Sequence, residues 1–297
     1  MRTTKRFTPA VLDRFRAQGR GEGTFGDFSA WHQVTRGDPA SSGRSRLLRW
    51  RGRLTNLLSN QEMDGMLFCS MLPGLLDVRE QVRLALEHDS HPLRAYTLIG
   101  TAGSYPGTQA LAKALGIKHP VVNGEGRSAP WVMSTDLVLT LSKPGGGIEL
   151  LAVSIKPKLE GLAKRSLDLL RLEQEYWQAR GVPWLLITRE VFEKQVGLSL
   201  RRKVAWGLGP TALEAHRNFA AQLVRDLPFA SETEIVHALS RHVGNADVAQ
   251  RALWQAIWRG HLPIDLRRCW RPGPMKVISE VEFWNLNPVA SRRSAWN

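Results

Sequence analysis

The stretch WVMSTDLVLTLSKPGGGIELLAVSIKPK, residues 131–158, limits the possible folds more than any other part of the chain. Two apolar, β-branched runs at about 131–142 and 148–157 flank Lys143-Pro144-Gly145-Gly146-Gly147, a combination that stops a strand and reverses the chain. A turn centred near Gly145 makes the strands antiparallel and sets Asp136 opposite Ser154. Side chains alternate with period two along a strand, so Lys156 then shares a face with Asp136. Only an odd loop register keeps the two together.

A carboxylate inside an apolar strand is expensive to bury without a partner. A plain Asp136–Lys156 salt bridge is one explanation. A third residue widens the choice. Ser59-Asn60-Gln61-Glu62 opens an apolar helical run, and Glu62 is at the N3 position of a capping box, where it would satisfy backbone N–H groups. The same position projects it from the helix end toward the sheet. Glu62, Asp136 and Lys156 together form a candidate site for metal-assisted phosphodiester hydrolysis. The two carboxylates would hold a hard divalent cation, with Ser154 and the Ile155 carbonyl as further candidate ligands, and Lys156 would orient or deprotonate water. Pro157 biases Lys156 toward extended backbone.

Charge distribution supports a polyanionic substrate. The net charge is +14, with pI about 10.5. Residues 1–53 carry 12 Lys/Arg against 4 Asp/Glu, residues 54–188 carry 13 of each, and residues 189–297 carry 16 against 10. A neutral middle between basic flanks suits chemistry in the middle and phosphate contacts outside it. Candidate DNA contacts are Arg44, Arg46, Arg49, Arg51 and Arg53 in the Arg-rich segment 41–53, with His119, Lys158 and Arg165. His119 beside Pro120 also fits a structural role. The two cysteines, Cys69 and Cys269, exclude a disulfide framework and a zinc finger and suit a reducing cytoplasm. No run approaches the length of a membrane span. No G-x-x-x-x-G-K-[ST] motif occurs, so no nucleotide is expected to bind this chain.

Periodicity predicts a short basic helix at 8–18, a helix after Ser59 ending at Pro73-Gly74, a strand at 75–84 and a helix around TQALAKALG. Beyond the hairpin it predicts a helix at 159–181 and a buried strand at 182–188. Helices are expected at 211–226, 231–242 and 246–259, then a strand at 276–286. The reading is an α/β central sheet flanked by helices, followed by a mostly helical winged-helix-type domain. Its parts are a basic segment at 1–53, a catalytic core at 54–188 and the C-terminal domain at 189–297.

Residues 41–84, GIKHP (116–120), STDLVL (134–139), SIKP (154–157) and RLEQEYWQARGVPWLLIT (171–188) resemble, in this order, blocks of the TnsA family, the endonuclease subunits of heteromeric transposases. The resemblance covers about residues 30–190. It implies a restriction-endonuclease-like fold and a site that uses Mg²⁺, with Mn²⁺ able to substitute. Glu62, Asp136 and Lys156 match the family's catalytic positions; Ser154 stands where Gln is usual. The resemblance also implies double-stranded DNA at transposon ends as substrate, and hydrolysis of the non-transferred strand beside a DDE transposase. The winged-helix domain would contact the AAA+ ATPase regulator of transposition. A stand-alone nuclease of the same fold and a catalytically silent adaptor bridging transposase, regulator and DNA are the alternatives.

Overall fold

The computed structural model describes residues 6–98 and 101–296; Met1–Lys5 of the basic segment lie outside it. The chain divides into two compact units, residues 1–62 with 74–186, and residues 63–73 with 187–297.

In the first unit, α1 (Pro9–Ala17) starts at Thr8, whose hydroxyl accepts from the Val11 N–H, with Pro9 at the first helical position. Its Leu12 and Phe15 are buried with Trp31 and Val132. The Arg-rich segment forms a hairpin, β1 (Arg46–Trp50) and β2 (Arg53–Leu57). Helix α2 (Asn60–Ser70) follows; residues from Met63 onward belong to the second unit. The central sheet holds β3 (Leu75–Arg83), β6 (Ser134–Ser142), β7 (Ile148–Ile155) and β8 (Trp184–Ile187) in the order β3-β6-β7-β8. Between β3 and β6 the chain forms α3 (Thr108–Ala114) and the hairpin β4 (Val121–Gly124) and β5 (Arg127–Pro130).

β3 pairs antiparallel with β6, and β6 with β7. Ser142 faces Ile148 and Leu137 faces Val153, so the turn does centre on Gly145 and its register is odd. Gly145, Gly146 and Gly147 have φ of 84°, 102° and 82°, a run of left-handed conformations only glycine adopts cheaply. From β7 the chain returns through α4 (Lys164–Gln178) to β8, the kind of connection that parallel neighbours need. Leu137, Leu139, Leu151, Val153, Leu172, Trp177 and Leu186 are fully buried in this unit.

The second unit is helical: α5 (Lys194–Gly207), α6 (Glu214–Asp226), α7 (Glu232–Val243), α8 (Ala246–Trp258) and α9 (Glu280–Asn285). α8 packs against α5, α6 and α7, and Ala249, Ala252, Leu253, Trp254, Ala256 and Ile257 are fully buried. α7 opens with a complete capping box, Ser231 with Glu234, and ends at Gly244 with φ 74°. Two antiparallel bridges involve the segment after α8: Ile264 with Val277 inside it, and Pro274 with Ser231 at the start of α7.

The strand expected at 276–286 is absent. Only Val277 of that segment bridges, and α9 occupies the rest. Ser279 accepts from the Glu282 N–H, and Glu280 and Glu282 fall in the first turn, so N-capping overrides the β-branched residues. α5 was not foreseen.

Candidate active site

Beyond the Leu137–Val153 pair the β6–β7 ladder gives way to side chains. Asp136 Oδ2 accepts the Ile155 backbone N–H at 2.7 Å, taking the place of a ladder carbonyl. Lys156 Nζ is 3.5 Å from the same oxygen. The other oxygen, Oδ1, accepts from Gln81 Nε2 at 3.2 Å.

Gln81 Nε2 also reaches Glu62 Oε2, at 3.1 Å. One amide group therefore sits between the two carboxylates. Gln81 does this from a left-handed backbone, φ 48°, inside β3, a strained conformation for a residue with a side chain. Its Oε1 accepts from Ser134 Oγ at 3.0 Å.

Glu62 caps its helix and also reaches the sheet, where it meets Gln81. Its backbone N–H donates to Ser59 Oγ at 3.1 Å. Its carboxylate accepts from Ser59 Oγ at 3.1 Å and from the Leu58 N–H at 2.8 Å. This cap differs from the standard box because the backbone donor is Leu58, one residue before Ser59. Glu62 is 7% exposed, and burial followed by the nearby Asp136 charge pushes its pKa up to about 7. Lys156 is shifted up as well, first by Asp136, with Glu173 and Glu62 adding to it.

Ser154 does not face this cluster. It is fully buried, donates to Glu173 Oε1 and accepts from Trp184 Nε1 at 3.0 Å. As a direct metal ligand it is withdrawn; it braces Glu173 instead. Thr135 Oγ1 donates to the same Glu173 oxygen at 2.6 Å and accepts from Trp177 Nε1 at 2.8 Å. Glu173, whose pKa burial raises, lines with Asp136, Lys156, Trp131 and Ser166 a cavity of about 260 Å³.

Among the described residues no group of three or more His, Cys, Asp or Glu side chains is arranged to hold a metal ion. The donor set is nevertheless suited to a divalent cation: two neighbouring carboxylates, one of which, Glu62, resists ionisation first because it is buried and then because Asp136 lies beside it. Mg²⁺ keeps several of its waters, so two carboxylates are enough to anchor it.

The arginines of the β1–β2 hairpin separate into two groups. Arg44, Arg46 and Arg49 are exposed. Arg51 donates to the Leu75 and Leu76 carbonyls and lies over the Trp50 ring. Arg53 is paired with buried Glu80 at 2.6 Å and is 9% exposed, which removes it as a phosphate contact. His119 is also removed, since one ring nitrogen meets the Pro120 carbonyl at 2.9 Å and the other Thr108 Oγ1 at 3.0 Å. Lys158 and Arg165 are exposed beside the β7–α4 connection, Arg165 giving one N–H to the Lys118 carbonyl.

Sequence reasoning missed Gln81 and Glu173. Gln81 becomes visible only once the β3–β6 register places it beside Asp136. Glu173 did leave a signal: it interrupts the apolar face of α4 between Leu170 and Trp177.

The sequence model of the TnsA-like endonuclease N-terminal family matches residues 77–189. The chain is also 30% identical over 219 residues to the transposition protein TnsA of transposon Tn7 from Escherichia coli, covering 73% of this chain and 69% of that protein. The chain belongs to the TnsA family of endonucleases. Its α/β unit, a central sheet flanked by helices, is the restriction-endonuclease-like fold, and a helical region follows it. Among the described residues no helix is long and apolar enough to cross a membrane.

Proposed function

We propose that this chain is the metal-dependent DNA endonuclease subunit of a transposition complex, hydrolysing the non-transferred strand at element ends together with a DDE transposase. The observation that carries the reading is the placement of Asp136. Its carboxylate is pinned by the Ile155 N–H, paired with Lys156 and joined to Glu62 through one amide.

Glu62 and Asp136 would hold Mg²⁺, or Mn²⁺ in its place, with the Ile155 carbonyl a further candidate ligand. The cation would supply Lewis-acid stabilisation of the phosphate and a more acidic bound water. The chain's own residues fix positions around it. Ile155 N–H and Gln81 orient Asp136, and the helix cap orients Glu62. Lys156, kept as an ammonium by three carboxylates, neutralises charge developing on the phosphate rather than accepting a proton. Arg44, Arg46, Arg49, Lys158 and Arg165 would grip the DNA backbone, contacts that position without specifying sequence.

The three packed helices α6–α8, followed by a segment with two antiparallel bridges, Ile264 with Val277 and Pro274 with Ser231, support a winged-helix-type C-terminal domain. That domain would engage an AAA+ regulator. No nucleotide site is assigned to this chain.

Strand-labelled element ends incubated with Mg²⁺, with and without the cognate transposase, test the reading. Nicking of the non-transferred strand only when the transposase is present is expected. Cleavage by the chain alone would instead make it a stand-alone nuclease, and unimpaired excision with Asp136→Ala would reduce it to an adaptor.

A further inference from the structure

We propose that a cleft beside β3 binds a single phosphate group, anchored on the buried guanidinium of Arg79. The cleft, about 320 Å³, is walled by Gly21–Gly23, Arg79, Arg83, Arg94 and the Tyr176–Trp177 pair of α4. Arg79 is 6% exposed. Its guanidinium lies 5.2 Å from the Tyr96 ring centre and 5.9 Å from that of Phe28. Its Nε and Nη2 are buried without a hydrogen-bond partner.

Other little-exposed arginines differ in keeping at least one carboxylate or carbonyl partner. Arg20 is paired with Asp38 at 2.7 Å and Arg53 with Glu80 at 2.6 Å. Arg180 gives Nη1 to the Pro106 and Tyr176 carbonyls and Arg217 gives Nη1 to the Ala212 carbonyl, although Nε of both and Nη2 of Arg180 are unpartnered. Arg79, among the described residues, has neither carboxylate nor carbonyl. Two aromatic faces offset only part of the loss of hydration. An uncompensated guanidinium in a buried position calls for an anion from outside.

The cleft rim is suited to supply it. Arg94 is exposed at the rim. Arg83 is held by Glu22 and crosses Gly21 so closely that a Cβ there would meet its Cδ at 2.5 Å. Of the other polar groups, Asp89 accepts from Ser90 N–H at 2.7 Å and from its hydroxyl. Both ring nitrogens of His91 are engaged, by the Arg180 carbonyl and the Leu93 N–H. Three guanidinium groups around one space match a tetrahedral oxyanion, which accepts from planar N–H forks.

A phosphate here comes either from the DNA backbone or from solution. Gln81, which touches Glu62 and Asp136, lies on β3 between Arg79 and Arg83. A backbone phosphate in the cleft would therefore belong to DNA entering the candidate active site, an assignment that rests on the endonuclease reading.

Thermal unfolding of the full chain in rising sodium phosphate, at ionic strength held constant with NaCl, tests the site. The wild type should show a saturable rise in Tm, because a ligand of the native state stabilises by mass action. Arg79→Met should lose that rise while unfolding no earlier than wild type without phosphate. Arg94→Ala, at an exposed position, should weaken the phosphate response several-fold and keeps the test alive if Arg79→Met fails to fold. No saturable rise in the wild type, or an undiminished rise in Arg79→Met, overturns the proposal.

DNA binding in an Asp136→Ala background then separates the sources. If the phosphate is DNA's, Arg79→Met lowers the slope of log Kd against log salt by about 1. An unchanged slope with the Tm response intact overturns the DNA source and leaves a site for free phosphate. Failure of the endonuclease reading would show separately, as cleavage that survives Asp136→Ala.

Discussion

Two acid–base pairs in the first unit serve opposite purposes, one joining β2 of the hairpin to β3 and the other joining β6 to the residue after β7. Arg53 and Glu80 meet at 2.6 Å and are 9% and 0% exposed. Glu80 Oε1 also accepts from the Asn56 backbone at 2.9 Å and side chain at 3.2 Å. Lys156 and Asp136 are 3.5 Å apart and 37% and 14% exposed. The first pair is closed and hydrogen-bonded on several sides, which is what makes a buried charge tolerable. The second is loose, half-open and set beside another carboxylate, the arrangement the proposed cation site needs. Burial and a neighbouring carboxylate, not the presence of the pair, separate a structural bridge from a candidate site.

The largest effect should come from the open pair. Asp136→Ala is expected to reduce DNA cleavage on the order of 10³-fold or more, because several kcal/mol of transition-state stabilisation disappear. DNA retention measured by anisotropy should be unchanged, and loss of binding in parallel with cleavage would contradict the assignment. The closed pair should respond in stability instead. Arg53→Met leaves Glu80 buried and unpaired, at a cost of about 3–5 kcal/mol in urea unfolding, and Arg53→Met with Glu80→Leu should recover most of it. If the single variant is as stable as wild type, the pair is not the closed bridge described.

A pH dependence follows from Glu62. Its folded pKa of about 7 is above the unfolded value of 4.5, so the native state binds its proton more tightly. Stability without metal should therefore be greatest below about pH 4.5 with respect to this group and fall as pH rises to 7. The loss should be up to about 3 kcal/mol. Urea unfolding across pH in EDTA should show this slope in wild type and not in Glu62→Gln, and Mg²⁺ should restore stability above pH 7. A wild-type profile matching that of Glu62→Gln would mean the carboxylate is not held as described.

Gln81→Ala removes the shared amide, and the Glu62 transition should move further up by less than one pH unit, equivalent to about 1 kcal/mol. An unmoved transition would show that the amide does not couple the carboxylates. The smallest effect is on the hairpin surface. Arg46→Ala should lower the salt slope of DNA binding by about 1 with only a modest loss of affinity, whereas His119→Ala should leave the slope unchanged.

Much of the first unit was legible because its signals are local. Period-two alternation and a Pro-Gly turn set the hairpin register as far as Leu137 and Val153, but beyond that pair Ser154 shares Glu173 with Thr135, and the Asp136 side chain reaches the Ile155 N–H and Lys156 outside the regular ladder. The S-x-x-E spacing located the start of α2. Residues 276–286 misled because β-branched residues suggested a strand where Ser279 and two glutamates cap a helix. The arginines of 41–53 could not be sorted from sequence, since Arg46 and Arg53 differ only in what lies opposite them.

The sequence by itself determined most of the element order of the first unit and the hairpin register as far as Leu137, and nominated Glu62, Asp136 and Lys156, through short-range backbone preference and side-chain alternation. Tertiary structure decided which charges are satisfied. Packing of β3 against β6 set Gln81 between two carboxylates, and the approach of β2 to β3 paired Arg53 with Glu80 while Arg79 kept neither a carboxylate nor a carbonyl. Charge compensation depends on groups far apart in the chain, and a buried ion's cost is fixed only when every neighbour is in place.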